Sequence, residues 1–233
     1  MIRRAAIFML ALCTIAAAQL PWSFESPNLA ARFRWNRHYN GTVLDDSFRH
    51  QNATASNLIW RASALGFNGT NTTISFAPIL GNNASWAVVV ALKPFTNYPL
   101  STFPVIYGEG QTTNGNPLIW CSITASNSYL EIRGDNGAPS DANVTGSRKI
   151  VDGRPHVVAF VRRASDCRIY VDGIFDTNVT YSGATMTLNT ASIGSISRTT
   201  RSDFLFGDFY EARLFVPAVS DSDLLNLATE MRP

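Results

Sequence analysis

Histidine is nearly absent from this chain of 233 residues: His38, His50 and His156 are the three. None stands at zinc-ligand spacing from another ligand type, so a histidine-built metal centre is not encoded. No Gly-x-Ser-x-Gly elbow occurs, which removes the nucleophile turn of an α/β hydrolase. Gly108-Glu-Gly110 lacks a third glycine and opens no helix, so it is not a dinucleotide loop. Charge is sparse too, at 15% of residues. The 19 basic and 17 acidic side chains nearly cancel, which leaves no electrostatic case for nucleic acid or an anionic membrane as partner. After Ala18 no apolar run approaches the roughly 20 residues that span a bilayer, so membrane insertion is not expected. No internal repeat and no Pro/Ser linker divides the chain.

The first 18 residues differ from the rest. Arg3 and Arg4 precede an apolar run, Ala5–Ala18, interrupted by Thr14, and Ala16-Ala17-Ala18 lies before Gln19. A basic head, a short apolar stretch and an Ala-x-Ala end predict a cleaved secretory signal over 1–18 and a secreted, extracellular product. Seven Asn-x-Ser/Thr sequons fit that expectation, at Asn40, Asn52, Asn68, Asn71, Asn83, Asn143 and Asn178. Cys13 falls in the signal, leaving Cys121 and Cys167, each in a strand-like segment. In an oxidising compartment they are expected to form one disulfide, closing a loop of about 47 residues worth ~4 kcal/mol.

Residues 19–56 form an aromatic-spotted lead-in with Trp22, Phe24, Phe33, Trp35, Tyr39 and Phe48, and with Arg32, Arg34 and Arg37 between them. They read either as outer strands packing on the main domain or as an arm reaching a neighbour. From residue 57 to the end the text is short strands and turns. Leu58–Ala62, Thr73–Phe76, Trp86–Leu92, Val105–Tyr107, Leu118–Thr124, Tyr129–Arg133, Met186–Leu188, Ala191–Gly194 and Phe206–Val216 are the candidates. Trp86–Leu92 is apolar on both faces, as a central, doubly covered strand would be. In His156–Val171, Val157, Ala159 and Val161 alternate with Val158 and Phe160. Asp172-Gly173 then supplies a second turn. Ser220, with Asp223 three positions on, predicts a capped helix carrying Leu224, Leu225 and Leu227. The pattern is an all-β sandwich or barrel in one domain with one short C-terminal helix.

The strings Asp152-Gly-Arg-Pro-His156-Val-Val-Ala and Ile169-Tyr-Val-Asp-Gly173 resemble the central hairpin of laminin G-like domains, members of the concanavalin A-like lectin/glucanase superfamily. Trp86–Lys93, Val105–Gly110, Leu118–Ile132, Phe206–Phe215 and Val219–Leu225 resemble the family's other segments in order, over roughly 50–229. Pro155 stands where the family commonly has Trp. The resemblance implies a two-sheet antiparallel jelly roll that binds glycans or extracellular proteins, often with calcium. His156 is then structural, packing its ring and bonding backbone.

Calcium stays open, because six to eight oxygens scatter invisibly along one sequence. Asp135, Asn136, Asp141 and Asp152 are loop candidates for it, and each is also an ordinary turn former. The superfamily's glucanases carry Glu-x-Asp-x-Glu on one strand, and no such string occurs here. Asp208 and Glu211, three apart, are expected on opposite faces of their strand, both as edge or turn residues pairing with nearby arginines such as Arg213. Arg133-Gly134-Asp135 spells an adhesion tripeptide at the expected end of a strand.

The leading expectation is a non-catalytic binding module for a glycan or an extracellular protein. A structural glycoprotein of a coat, wall or filament, with self-association, is the alternative, and a glucan hydrolase is a distant third. Trp22, Trp35, Tyr39 and the turn Gly134–Asp141, with Asp135, Asn136 and Asp141, are the candidate contact residues.

Overall fold

Two apolar faces on one strand decide the architecture. In Trp86–Pro94 the side chains of Trp86, Val88, Val90 and Leu92 enter one buried cluster, and those of Ala87, Val89 and Ala91 enter another. The strand beside it repeats the division: Val158 and Phe160 face the first cluster, and Val157, Ala159 and Val161 face the second. Both strands are therefore covered on both sides, as their unbroken apolar text requires.

The computed structural model describes residues 26–97, 103–113, 116–125, 128–135, 142–181, 185–196, 198 and 200–233. The expected signal, Trp22, Phe24, Asn136 and Asp141 lie outside the described residues, as does the side chain of Asp135. The strands are β1 Leu29–Tyr39, β2 Thr42–Asp45, β3 Ala53–Ser56, β4 Ile59–Trp60, β5 Leu65–Asn68, β6 Thr73–Phe76, β7 Trp86–Pro94 and β8 Val105–Gly110. They continue as β9 Leu118–Ile123, β10 Tyr129–Asp135, β11 Ala142–Lys149, β12 His156–Arg163, β13 Asp166–Val171, β14 Ile174–Thr180, β15 Thr190–Ile193 and β16 Phe206–Phe215. Among the described residues one helix, α1, spans Asp221–Glu230. No strand forms at Met186–Leu188, although Met186 and Leu188 are buried.

The strands hydrogen-bond in one antiparallel path, β11-β10-β9-β8-β15-β6-β3-β2-β1-β16-β7-β12-β13-β14, with β4 and β5 appended to β16. The path folds over at β1. Its first half pairs with β16 and its second with β2, so Leu29–Tyr39 is held on both sides and buries Phe33 completely. This gives an all-β sandwich. The layer β1-β16-β7-β12-β13-β14 faces the layer β2-β3-β6-β15-β8-β9-β10-β11 across the main core. The two free ends meet where Asp176 of β14 accepts from Ser147 N at 2.9 Å and Ser147 Oγ at 2.6 Å in β11. The sheet is thus nearly closed on itself, leaving little raw edge.

Turn chemistry fixes the register. Ala164-Ser165 joins β12 to β13, with Arg163 opposite Asp166. Asp172-Gly173, at φ 53° and 77°, is a two-residue turn from β13 into β14. Only residues tolerant of positive φ fit both positions of such a turn. Ser220 caps α1 with a reciprocal bond from Asp223, and Leu224 and Ala228 seat the helix on the second cluster.

Two sequence expectations are corrected here. Cys121 and Cys167 are free, not bridged. Both fill the main core as small apolar groups, and burial pushes the Cys121 thiol well up and that of Cys167 to about 12. Disulfide exchange needs a thiolate, which this environment disfavours. Asp208 and Glu211 are not on opposite faces. A bulge at Tyr210 shifts the register, so Asp208 opposes Lys93 and Glu211 opposes Ala91, both on the outward side of the first layer.

Candidate functional site: the outward face of the second layer

Ile119, Cys121, Ile123, Leu130 and Ile132 point into the core, so Trp120, Ser122, Glu131 and Arg133 point out of it. Register then aligns one outward row across eight strands. Thr42 opposes Thr54, Thr54 opposes Ser75, and Ser75 opposes Ser192. Ser192 opposes Gly108, Gly108 opposes Trp120, Trp120 opposes Arg133, and Arg133 opposes Asn143. One end of the row is hydroxyl-bearing and the other is aromatic and charged. Ser192 is wholly buried because the chain after β15 turns back over it: its hydroxyl donates to Ser195 O at 2.7 Å.

At the other end polar atoms are enclosed without partners. Trp120 Nε1, Ser122 Oγ and Glu131 Oε2 are buried and make no hydrogen bond among the described residues. Glu131 and Ser122 are register partners, 5% and 0% exposed. Burial pushes the Glu131 carboxyl above the usual range, against the pull of Arg133 and of the Ser122 hydroxyl, which lies beside the carboxyl without reaching good hydrogen-bond geometry. Arg133 Nε lies 3.5 Å from Glu131 Oε1, and its guanidinium sits 5.0 Å over the Trp120 ring. An enclosed donor, a hydroxyl and a carboxylate acceptor within two adjacent strands each forgo a bond, and each such loss costs about 1–3 kcal/mol.

Comparison with known proteins agrees with the topology. A laminin G family model, described as concanavalin A-like lectin/glucanases superfamily, matches residues 68–224. The chain belongs to that superfamily. No curated protein compared with it matches. Among solved structures, Trypanosoma rangeli sialidase is 18% identical at a TM-score of 0.65, over 88% of this chain and 33% of its own. The binding domain of botulinum neurotoxin DC in complex with rat synaptotagmin II is 11% identical at 0.67, over 88% of this chain and 52% of its own. Botulinum neurotoxin type C, for which interaction with two ganglioside molecules is described, is 11% identical at 0.66, over 88% and 52%. The chain thus spans a third to a half of these proteins, and at such identities the likeness is one of fold.

Within this lectin-like sandwich the residues expected to bind are scattered. Trp35 is half-buried and packs against the main core. Tyr39 is exposed at the tip of β1. Arg133-Gly134-Asp135 is not a projecting turn: it lies in β10, paired with β9 on one side, and Arg133 and Gly134 also pair with β11 on the other. Asp152 accepts from Arg154 N at 2.9 Å and lies 3.0 Å from His156 Nε2. His156 bonds a second carboxylate, Asp172, at 3.0 Å through Nδ1, so side-chain acids rather than backbone hold its ring. Among the described residues no group of three or more acidic, histidine or cysteine side chains is arranged to hold a metal.

The carboxylates considered for hydrolysis are each engaged by arginine. Glu211 accepts from Arg32 Nε at 2.7 Å and Arg213 Nε at 2.6 Å, and Asp208 pairs with Arg61 at 2.9 Å. Of the sequons, Asn40, Asn52, Asn71, Asn143 and Asn178 are exposed. Asn68 and Asn83 are half-buried and spend their amide N–H groups on Asn71 Oδ1 at 2.7 Å and Ile79 O at 2.9 Å.

Proposed function

We propose that the chain is a secreted, glycosylated, non-catalytic recognition module that binds a hydroxyl-rich ligand, a glycan, beside Trp120 on the outward face of the second layer. The enclosed set Trp120 Nε1, Ser122 Oγ and Glu131 Oε2 carries this reading. Sugar hydroxyls both donate and accept, so neighbouring hydroxyls can satisfy an indole donor and a carboxylate acceptor together. Arg133, with 42% of its side chain exposed, is the movable cover. The arginine partners of Glu211 and Asp208 support a non-catalytic role, since a hydrolytic pair needs one free carboxylate nucleophile or base and one free acid. Superfamily membership and the ganglioside described for a neighbour of like fold also favour a sugar.

Asn143 shares the row with Trp120 and Arg133, so the binding form is expected to carry no glycan there. A second reading, self-association or a protein partner, draws on Ile174, Phe175 and Leu225, which are 47–52% exposed where β14 meets α1. A glycan array probed with the protein bearing Asn143→Gln separates the two. Selective glycan binding lost in Glu131→Gln supports the first. An empty array together with a dimer in solution that Phe175→Ser breaks overturns it.

A further inference from the structure

The tip of the first hairpin joins an acceptor for modification to an exposed aromatic ring. Between β1 and β2 the chain turns through Asn40 and Gly41, at φ 46° and 78°. Two consecutive left-handed residues form the tight turn whose twist matches the flanking strands. Tyr39 and Thr42 are the closing register pair, so their side chains share one face with Cβ atoms about 5 Å apart. Thr42 is the third residue of the Asn40 sequon. The turn is anchored from outside, because Ala55 N donates to Gly41 O at 2.7 Å. Tyr39 is 70% exposed and joins no ring pair or ion pair among the described residues. Asn40 is exposed, and no hydrogen bond engages its amide among the described residues, unlike the amides of Asn68 and Asn83.

We propose that Asn40 carries an N-glycan whose first sugar packs on the Tyr39 ring, making Tyr39 a docking residue for the protein's own glycan rather than for an external ligand. This rests on the reading that the chain is exported. Asn40 Nδ2 forms the bond to the anomeric carbon of a lipid-pyrophosphate oligosaccharide, the pyrophosphate leaves with the bonding pair, and Nδ2 releases one proton; no redox change occurs. The apolar C–H face of the attached sugar then covers a ring otherwise left to water. Its base is a rigid turn, so little freedom is lost on contact. The hairpin is thereby clamped at its tip, beside the fold-over of the two layers at β1.

The test expresses the chain in a eukaryotic secretory host and maps glycopeptides by mass spectrometry. Thr42→Val keeps a β-branched side chain but removes the sequon, so Tyr39→Ser is made with and without it. The expected result is occupancy at Asn40. Tyr39→Ser should then lower Tm by about 2–4 °C in the glycosylated protein and by no more than about 1 °C with Thr42→Val. Tyr39→Phe, which keeps the ring, should match the wild type. Equal losses in both backgrounds, or Tyr39→Phe behaving like Tyr39→Ser, overturns the proposal. Glycans at other sequons with Asn40 bare overturns this inference alone, whereas none at any sequon overturns it together with the secreted reading.

Discussion

The Tyr107 hydroxyl donates a 2.5 Å hydrogen bond to Glu109, two residues further along the same inward face of β8. Glu109 is fully buried and also accepts from the backbone N–H groups of Ile79, Leu80 and Gly81 at 2.6–3.0 Å. Burial pushes its carboxyl up while the donated bonds pull it down. It closes the loop between β6 and β7 onto the core. Glu109→Ala orphans three backbone donors and is expected to cost roughly 3 kcal/mol or more, read from the urea midpoint. A loss under about 1 kcal/mol would mean that the loop finds other acceptors.

Glu131 gives the pH dependence. Its folded carboxyl is raised by burial, so the folded state holds the proton more tightly than the unfolded chain. Its contribution to stability is therefore present at acid pH and declines as pH rises through the folded value, above the usual glutamate range. Glu131→Gln removes that decline. Urea midpoints of the two proteins should lie close together near pH 4 and separate toward pH 8, where the variant becomes the more stable. A wild-type advantage that grows toward pH 8 contradicts the assignment.

Both core thiols should be slow to react while the fold is intact. Denaturation without reductant should expose Cys121 and Cys167 to alkylation together, adding two labels per chain after loss of the signal. A mass showing no label until reductant is added would restore the bridge that these buried, protonated thiols argue against.

Trp35 belongs to packing. Because Trp35 is half-buried against the main core, Trp35→Ala should cost about 2–4 kcal/mol and leave ligand affinity unchanged in the folded fraction. Weaker binding at unchanged Tm would move the contact surface to the lead-in strand.

The elements legible in the sequence are those whose period and turns agree. β7, the β12–β13 hairpin and the Ser220-capped helix each carry an apolar period together with a defined stop. β11, by contrast, shows little period: between Ala142 and Lys149 only Val144 and Gly146 are buried among the described side chains. β14 is exposed or half-buried throughout, so its strand character comes from pairing with β13. The bulge at Tyr210 reverses the facing that simple alternation gives Asp208 and Glu211. The site was illegible for a related reason. Trp120, Arg133 and Ser192 sit inside readable strands, but the row that joins them exists only through register between segments far apart in the chain.

The account turns on Trp120. The glycan selected on the array is titrated calorimetrically into the wild type and Trp120→Ala, with thermal melts of both proteins in the same buffer. Trp120 is only half-buried on an outward face, so the variant is expected to fold. The account predicts at least a tenfold loss of affinity, about 1.4 kcal/mol, with Tm nearly retained. An unchanged Kd in a fully folded Trp120→Ala protein would contradict it and place recognition elsewhere on the sandwich.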